Sequence, residues 1–232
     1  MKIFSYDSRF SQVLMKLSMA CWLNLLWMLC SIPIFTMGAA TTALYAVTLK
    51  IADDEDGEIT KRFFSAFKSN FAQATRIWLI LLAIGALLAG DAWIASRMRL
   101  SASGMPAVFW TVNLALIIAA AIAYVIVLLY VYPLTASVEN TDLAMIRNSF
   151  LIGIRYLFCS ILLFAIHFAM FFLVVAVFTP LILFGEGLCA LLSSYLLIRI
   201  IPLVSYRKQE DVPVQEDEEV PAEETAGGKE RV

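Results

Sequence analysis

Apolar residues in this chain come in runs of about 20 with few polar interruptions, and that pattern restricts the fold more than any other feature. A helix of about 20 residues matches the roughly 30 Å thickness of a bilayer's hydrocarbon core. Inside lipid, every backbone polar group needs a partner within the protein, so runs of this kind become helices. Composition agrees: 61% of the 232 residues are hydrophobic and 16% charged. Soluble domains carry about 45–50% and about 25% respectively. Too little polar surface remains to cover a water-soluble core, so lipid is the solvent for most of the molecule.

The first run covers 17–51, too long for one span and short for two. Ser31-Ile32-Pro33 interrupts it, and proline inside a helix removes a backbone hydrogen bond and clashes with the preceding turn. This predicts a span at 17–32 and a second helix at 36–51, either complete or re-entrant. The second is rich in Gly, Ala and Thr from Gly38 to Ala46, which lets helix backbones approach closely in lipid. Further spans are expected at 77–96, 107–131, 156–178 and 181–203, the last two joined by a hairpin at Thr179-Pro180. The charged start and apolar first run resemble a signal peptide, but the spans that follow favour an uncleaved first helix.

Lys and Arg collect on the cytoplasmic flanks of membrane spans. With six crossings and both termini inside, 15 basic residues are cytoplasmic and only Arg97 and Arg99 are outside. With five crossings the better split is 12 to 5, so six is expected. The formal charge of −2 conceals an asymmetry: residues 209–232 hold nine acids and two bases, while the remainder holds fifteen bases and ten acids. Low hydrophobicity with high charge predicts an acidic disordered cytoplasmic tail at 209–232, after a helical domain at 1–208. The basic body is read as topological, not as a nucleic-acid surface.

Between 52 and 76 lies an acidic loop, then an aromatic and basic segment. Phe63, Phe64, Phe67 and Phe71 share one helical face, with Lys61, Arg62 and Lys68 beside it. This predicts a cytoplasmic amphipathic helix in the membrane interface, or a face for a partner. The overall expectation is an all-α polytopic bundle plus that interfacial helix.

Ionisable groups within spans are costly and default to a functional reading. Three qualify: Asp91, Glu186 and His167, the only histidine. Convergence of Asp91 and Glu186 on one cavity, with His167 deeper, would describe a proton or cation path. Asn24 and Asn113 are the main intramembrane amides. Cys21, Cys30, Cys159 and Cys189 all sit in apolar runs without CxxC spacing and read as small hydrophobes. No clustered N and O donors suggest a metal, no cofactor motif is present, and no GxSxG, P-loop, HExxH or GxGxxG pattern points to an enzyme.

One resemblance can be placed on particular residues. Phe4-Ser5-Tyr6-Asp7-Ser8, Asn24-Leu25-Leu26-Trp27 and Leu29-Cys30-Ser31-Ile32-Pro33 come first. Thr36-Met37-Gly38-Ala39-Ala40-Thr41-Thr42-Ala43-Leu44-Tyr45 and Phe63-Phe64-Ser65-Ala66-Phe67-Lys68-Ser69-Asn70-Phe71 follow. In order and spacing these resemble the YesL family of bacterial membrane proteins, whose function is unknown, over about residues 1–90. The resemblance implies a multi-span protein of the bacterial cytoplasmic membrane, associated with carbohydrate uptake by ABC transporters. Permease subunits of such transporters are the partners it suggests. It supplies no catalytic residue and no substrate. The expected function is therefore accessory or regulatory, the alternative being a small carrier or channel that uses the intramembrane acids.

Overall fold

The computed structural model describes residues 9–55, 57–101 and 103–201. The Phe4–Ser8 part of the family resemblance, Asp56 and the acidic tail at 209–232 lie outside the described residues. Among the described residues every regular element is helical. The order is α1 Arg9–Cys30, α2 Met37–Ala52, α3 Ile59–Ser101, α4 Met105–Ser137, α5 Asp142–Arg155, α6 Leu157–Phe172 and α7 Gly185–Leu197. Five helical stretches are long and apolar enough to cross a membrane, which makes this a multi-pass membrane protein.

The break at Pro33 separates α1 from α2. A short 3-10 turn, Ile34–Thr36, leads into α2. The Thr36 hydroxyl lies 2.6 Å from the Cys30 carbonyl and 2.7 Å from that of Pro33, so it supplies a donor where the end of α1 leaves carbonyls unpaired. The Trp27 indole donates to the Thr41 hydroxyl at 3.0 Å and ties the two helices into a hairpin.

Helix α2 is the best-covered element, with 67% of its apolar window buried against 11% for α3. Its small residues explain this. Gly38, Ala39, Ala40, Thr41, Thr42 and Ala43 are buried in succession, so neighbours approach on every side. A Cβ added to Gly38 would fall 2.5 Å from Trp78 Cβ and 2.7 Å from the Ala74 carbonyl oxygen. Glycine is therefore what lets α2 lie directly on α3. The Trp78 indole also donates to the Ile34 carbonyl at 2.7 Å, fixing the α1–α2 turn against α3.

The aromatic segment and the third span form one helix. Helix α3 runs 43 residues without interruption, roughly 64 Å at about 1.5 Å per residue. That is about twice a hydrocarbon core. From Ile59 to Ile84 there is no Gly or Pro to break it. Its proximal half packs on α2, while its distal half pairs with α4 in an antiparallel hairpin. Arg99 donates to Thr111 at 3.1 Å, and the Tyr124 hydroxyl donates to the Leu81 carbonyl at 3.0 Å. Near the base of this hairpin, Gln73 donates to the Asn140 carbonyl and Arg76 pairs with Asp142 at 2.7 Å, which seats the start of α5.

Past α6 the helix widens into a π-helical stretch, Leu173–Val177. Phe178 is extended, and Thr179–Leu183 forms a 3-10 turn that starts at Pro180. Only 13 residues of α7 follow, about 20 Å. Of the sixth span expected at 181–203, the described residues as far as 201 hold the end of this turn and the short helix α7.

Candidate functional site

Two buried polar arrangements join the first, second, sixth and seventh helices. The first centres on Asn24, which is 0% exposed. Its amide nitrogen donates to the carbonyls of Ile182 at 3.1 Å and Leu183 at 2.7 Å. Its amide oxygen accepts from the Gly187 backbone N–H at 2.8 Å. These are groups that helix geometry leaves orphaned: carbonyls at the end of the 3-10 turn and an N–H in the first turn of α7. One side chain of α1 therefore satisfies a helix junction formed more than 150 residues later. Gly187 makes the approach possible, since a Cβ there would collide with the Ala20 carbonyl.

The second arrangement contains the ionisable groups. Tyr45 of α2 is buried, and its hydroxyl faces His167 Nε2 at 3.5 Å. His167 Nδ1 lies 2.9 Å from the Leu163 carbonyl one turn earlier on α6. A carbonyl can only accept, so Nδ1 carries the hydrogen and Nε2 is left toward Tyr45. Half-buried Glu186 is the second residue of α7. Its position at a helix N-terminus favours a carboxylate there. Around this group, the hydroxyls of Tyr132 and Ser193 are buried without a hydrogen-bond partner among the described residues.

The third residue singled out for a path, Asp91, is exposed on the distal half of α3. The structure joins His167 to Tyr45 and leaves Asp91 exposed on α3. Asn113 is half-buried on α4, and its amide oxygen has no partner among the described residues. Among the described residues no three metal-ligating side chains cluster. The four cysteines are free, and Cys189 is buried in α7.

The aromatic segment divides between two faces of α3. Phe63 is fully buried, and Phe67 stacks on it at 6.4 Å between ring centroids. Phe71 makes an edge contact with Phe67 at 5.4 Å, so three of the four rings line up within the bundle. Phe64 points outward, 48% exposed, beside exposed Lys61 and Lys68. Arg62 turns back to the Glu55 carbonyl at 3.2 Å. A cleft of about 500 Å³ opens here, lined by Lys16, Asp54, Glu55 and Arg62 and floored by Val47 and Ile51. Lys16 bonds both Asp54 and the Tyr195 hydroxyl, closing α1 onto α2 and α7 at this end.

Sequence reading noted Asn24 only as a buried amide. Its partners are backbone groups, which carry no residue-type signal.

Comparison with known proteins places the first part of this architecture in a family context. A family model described as a protein of unknown function, DUF624, matches residues 20–92. The match spans the second half of α1, all of α2 and the greater part of α3, including Asn24, Tyr45 and Phe63. The matched stretch, about a third of the chain, is similar to this uncharacterised family and overlaps the resemblance given above. No curated protein and no solved structure matches the chain.

Proposed function

We propose that this multi-pass membrane protein is non-enzymatic and works by assembling with another integral membrane component. The contact is the outward face of the proximal half of α3. The observation that carries this reading is the split of the aromatic segment: Phe63, Phe67 and Phe71 serve the interior, while Lys61, Phe64 and Lys68 stay outside on one stripe. An exposed aromatic ring flanked by two cations suits a partner that supplies apolar and acidic groups at the membrane surface. The bacterial cytoplasmic membrane, with both termini inside, is the setting that the charge distribution favours. Permease subunits of a carbohydrate ABC transporter are the partners implied by the family resemblance.

Co-purification in mild detergent tests the reading. The triple variant Lys61→Glu, Phe64→Ala, Lys68→Glu should lose permease subunits by about tenfold or more while keeping its thermal stability. Undiminished capture of those subunits by the triple variant would sink the docking face.

A second reading, a small carrier or channel, draws on the ionisable side chains Glu186 and His167, half-buried on α7 and α6. In proteoliposomes it requires a pH-driven flux that Glu186→Gln abolishes. Equal flux through wild type and variant would dispose of it.

A further inference from the structure

Helix α5 has two sides of different character. Met145, Ser149, Ile152 and Gly153 are buried. A Cβ added to Gly153 would collide with Ile126, so this side lies directly on α4. The opposite stripe is apolar and uncovered: Leu143 is 78% exposed, Leu151 55% and Ile154 50%. These positions share one helical face, and exposed Arg147 falls among them. Exposed Arg155 borders the stripe beside the Tyr156 ring. The one acid of α5, Asp142, is engaged by Arg76, and Glu139 precedes the helix. The outer side of α5 is therefore apolar and basic.

The chain passes from α5 straight into a membrane span. Tyr156, at φ −109° and ψ 50°, ends one helix and starts the next. The Ser160 hydroxyl donates to the Gly153 carbonyl at 2.7 Å and holds the joint. Leu157–Val177 is 21 residues, about 31 Å, and fills a core roughly 30 Å thick by itself. That places α5 just beyond the core, at the level of the headgroups. Exposed Phe158 and Ile161 carry the apolar surface of α5 onward into the span. Such a stripe suits the boundary where acyl chains meet phosphates, its aliphatic side chains in the first and its arginines among the second. Guanidinium groups bind phosphate oxygens through two parallel N–H donors. We propose that α5 lies in the membrane interface and binds the headgroups of anionic phospholipids through Arg147 and Arg155.

Photo-crosslinking of the full-length protein tests this. A benzophenone amino acid would replace Leu151, or Ile154 should the first variant misfold, in nanodiscs of equal parts phosphatidylcholine and phosphatidylglycerol. Intact-mass measurement should show lipid adducts, with phosphatidylglycerol ahead of phosphatidylcholine by about fivefold, the preference that one basic residue near an anionic surface supplies. Combining Arg147→Gln with Arg155→Gln should keep the lipid adducts and bring the two lipids to equal yield. A folded variant that gives no lipid adduct, or an adduct of twice the protein mass, would overturn the interfacial placement. A phosphatidylglycerol preference that is absent, or that survives loss of both arginines, would overturn the headgroup site.

Discussion

Helix α2 and the distal half of α3 are both apolar helices of membrane-spanning character, yet they are built on opposite terms. Small residues cover α2 from Gly38 to Ala43, and its neighbours bury it. Its Thr48 hydroxyl bonds Ser194 of α7 at 2.8 Å, and its Thr41 bonds Trp27 of α1. Distal α3 instead shows Leu79, Ile80, Leu82, Ile84, Leu87 and Trp93 outward. The contrast follows from the solvent. Lipid is as apolar as leucine, so hydrophobicity places a helix in the membrane but does not choose its neighbours. Close backbone approach and shared hydrogen bonds make that choice, and they are concentrated on α1, α2 and α7.

The sharpest way to break this comparison is to add the same side chain to a glycine on each side of it. Gly38→Leu must displace Trp78 and the Ala74 carbonyl, and the second is backbone that cannot swing away. A loss of about 3 kcal/mol or more is expected, seen as aggregation or a large fall in Tm by size-exclusion thermal assay. Gly90→Leu on distal α3 meets nothing within 4 Å and should leave Tm unchanged. If the two variants behaved alike, specific packing would not distinguish these regions.

Asn24→Leu comes next in size. The variant keeps the volume but leaves the Gly187 N–H and two carbonyls without their side-chain partner. About 2–3 kcal/mol of stability should be lost, measurable by thermal or denaturant unfolding in detergent. A neutral result would mean that the junction after Pro180 is held by packing alone.

The smallest effect belongs to Asp142 at the surface. The Arg76 guanidinium holds the Asp142 carboxyl below the usual carboxylate range, chiefly through their hydrogen bond, against some opposing burial. The contribution is thus present above that ordinary range and fades as pH falls through the lowered value. Asp142→Asn should lower Tm slightly at neutral pH and leave it unchanged under strongly acidic conditions. A larger gap in acid than at neutrality would contradict the sign.

The parts of the fold that were legible follow from local physics. Pro33 marked the α1–α2 turn and small residues marked the close-packed helix, whereas the four phenylalanines expected on one interfacial face divide between the interior at Phe63 and an outward ring at Phe64. Continuity of α3 was also written in the absence of Gly and Pro from Ile59 to Ile84, although charges at Lys68 and Arg76 suggested a boundary. Nothing local could show that Asp91 would end on an exposed face while His167 met Tyr45. Those outcomes depend on how α6 and α7 slide past α2, which is set by the irregular turn at 173–183 and by bonds between backbone groups.

The Asn24 bridge has a bearing on how the protein is made. Synthesis runs from the amino end, so α1 reaches the membrane while the carbonyls of Ile182 and Leu183 do not yet exist. Its amide must wait, paired with temporary neighbours, until nearly the whole described chain has left the ribosome. The bundle is therefore closed last, by its oldest helix gripping its youngest. A newborn chain halted before α7 would display an unclasped polar side chain that membrane quality control could recognise.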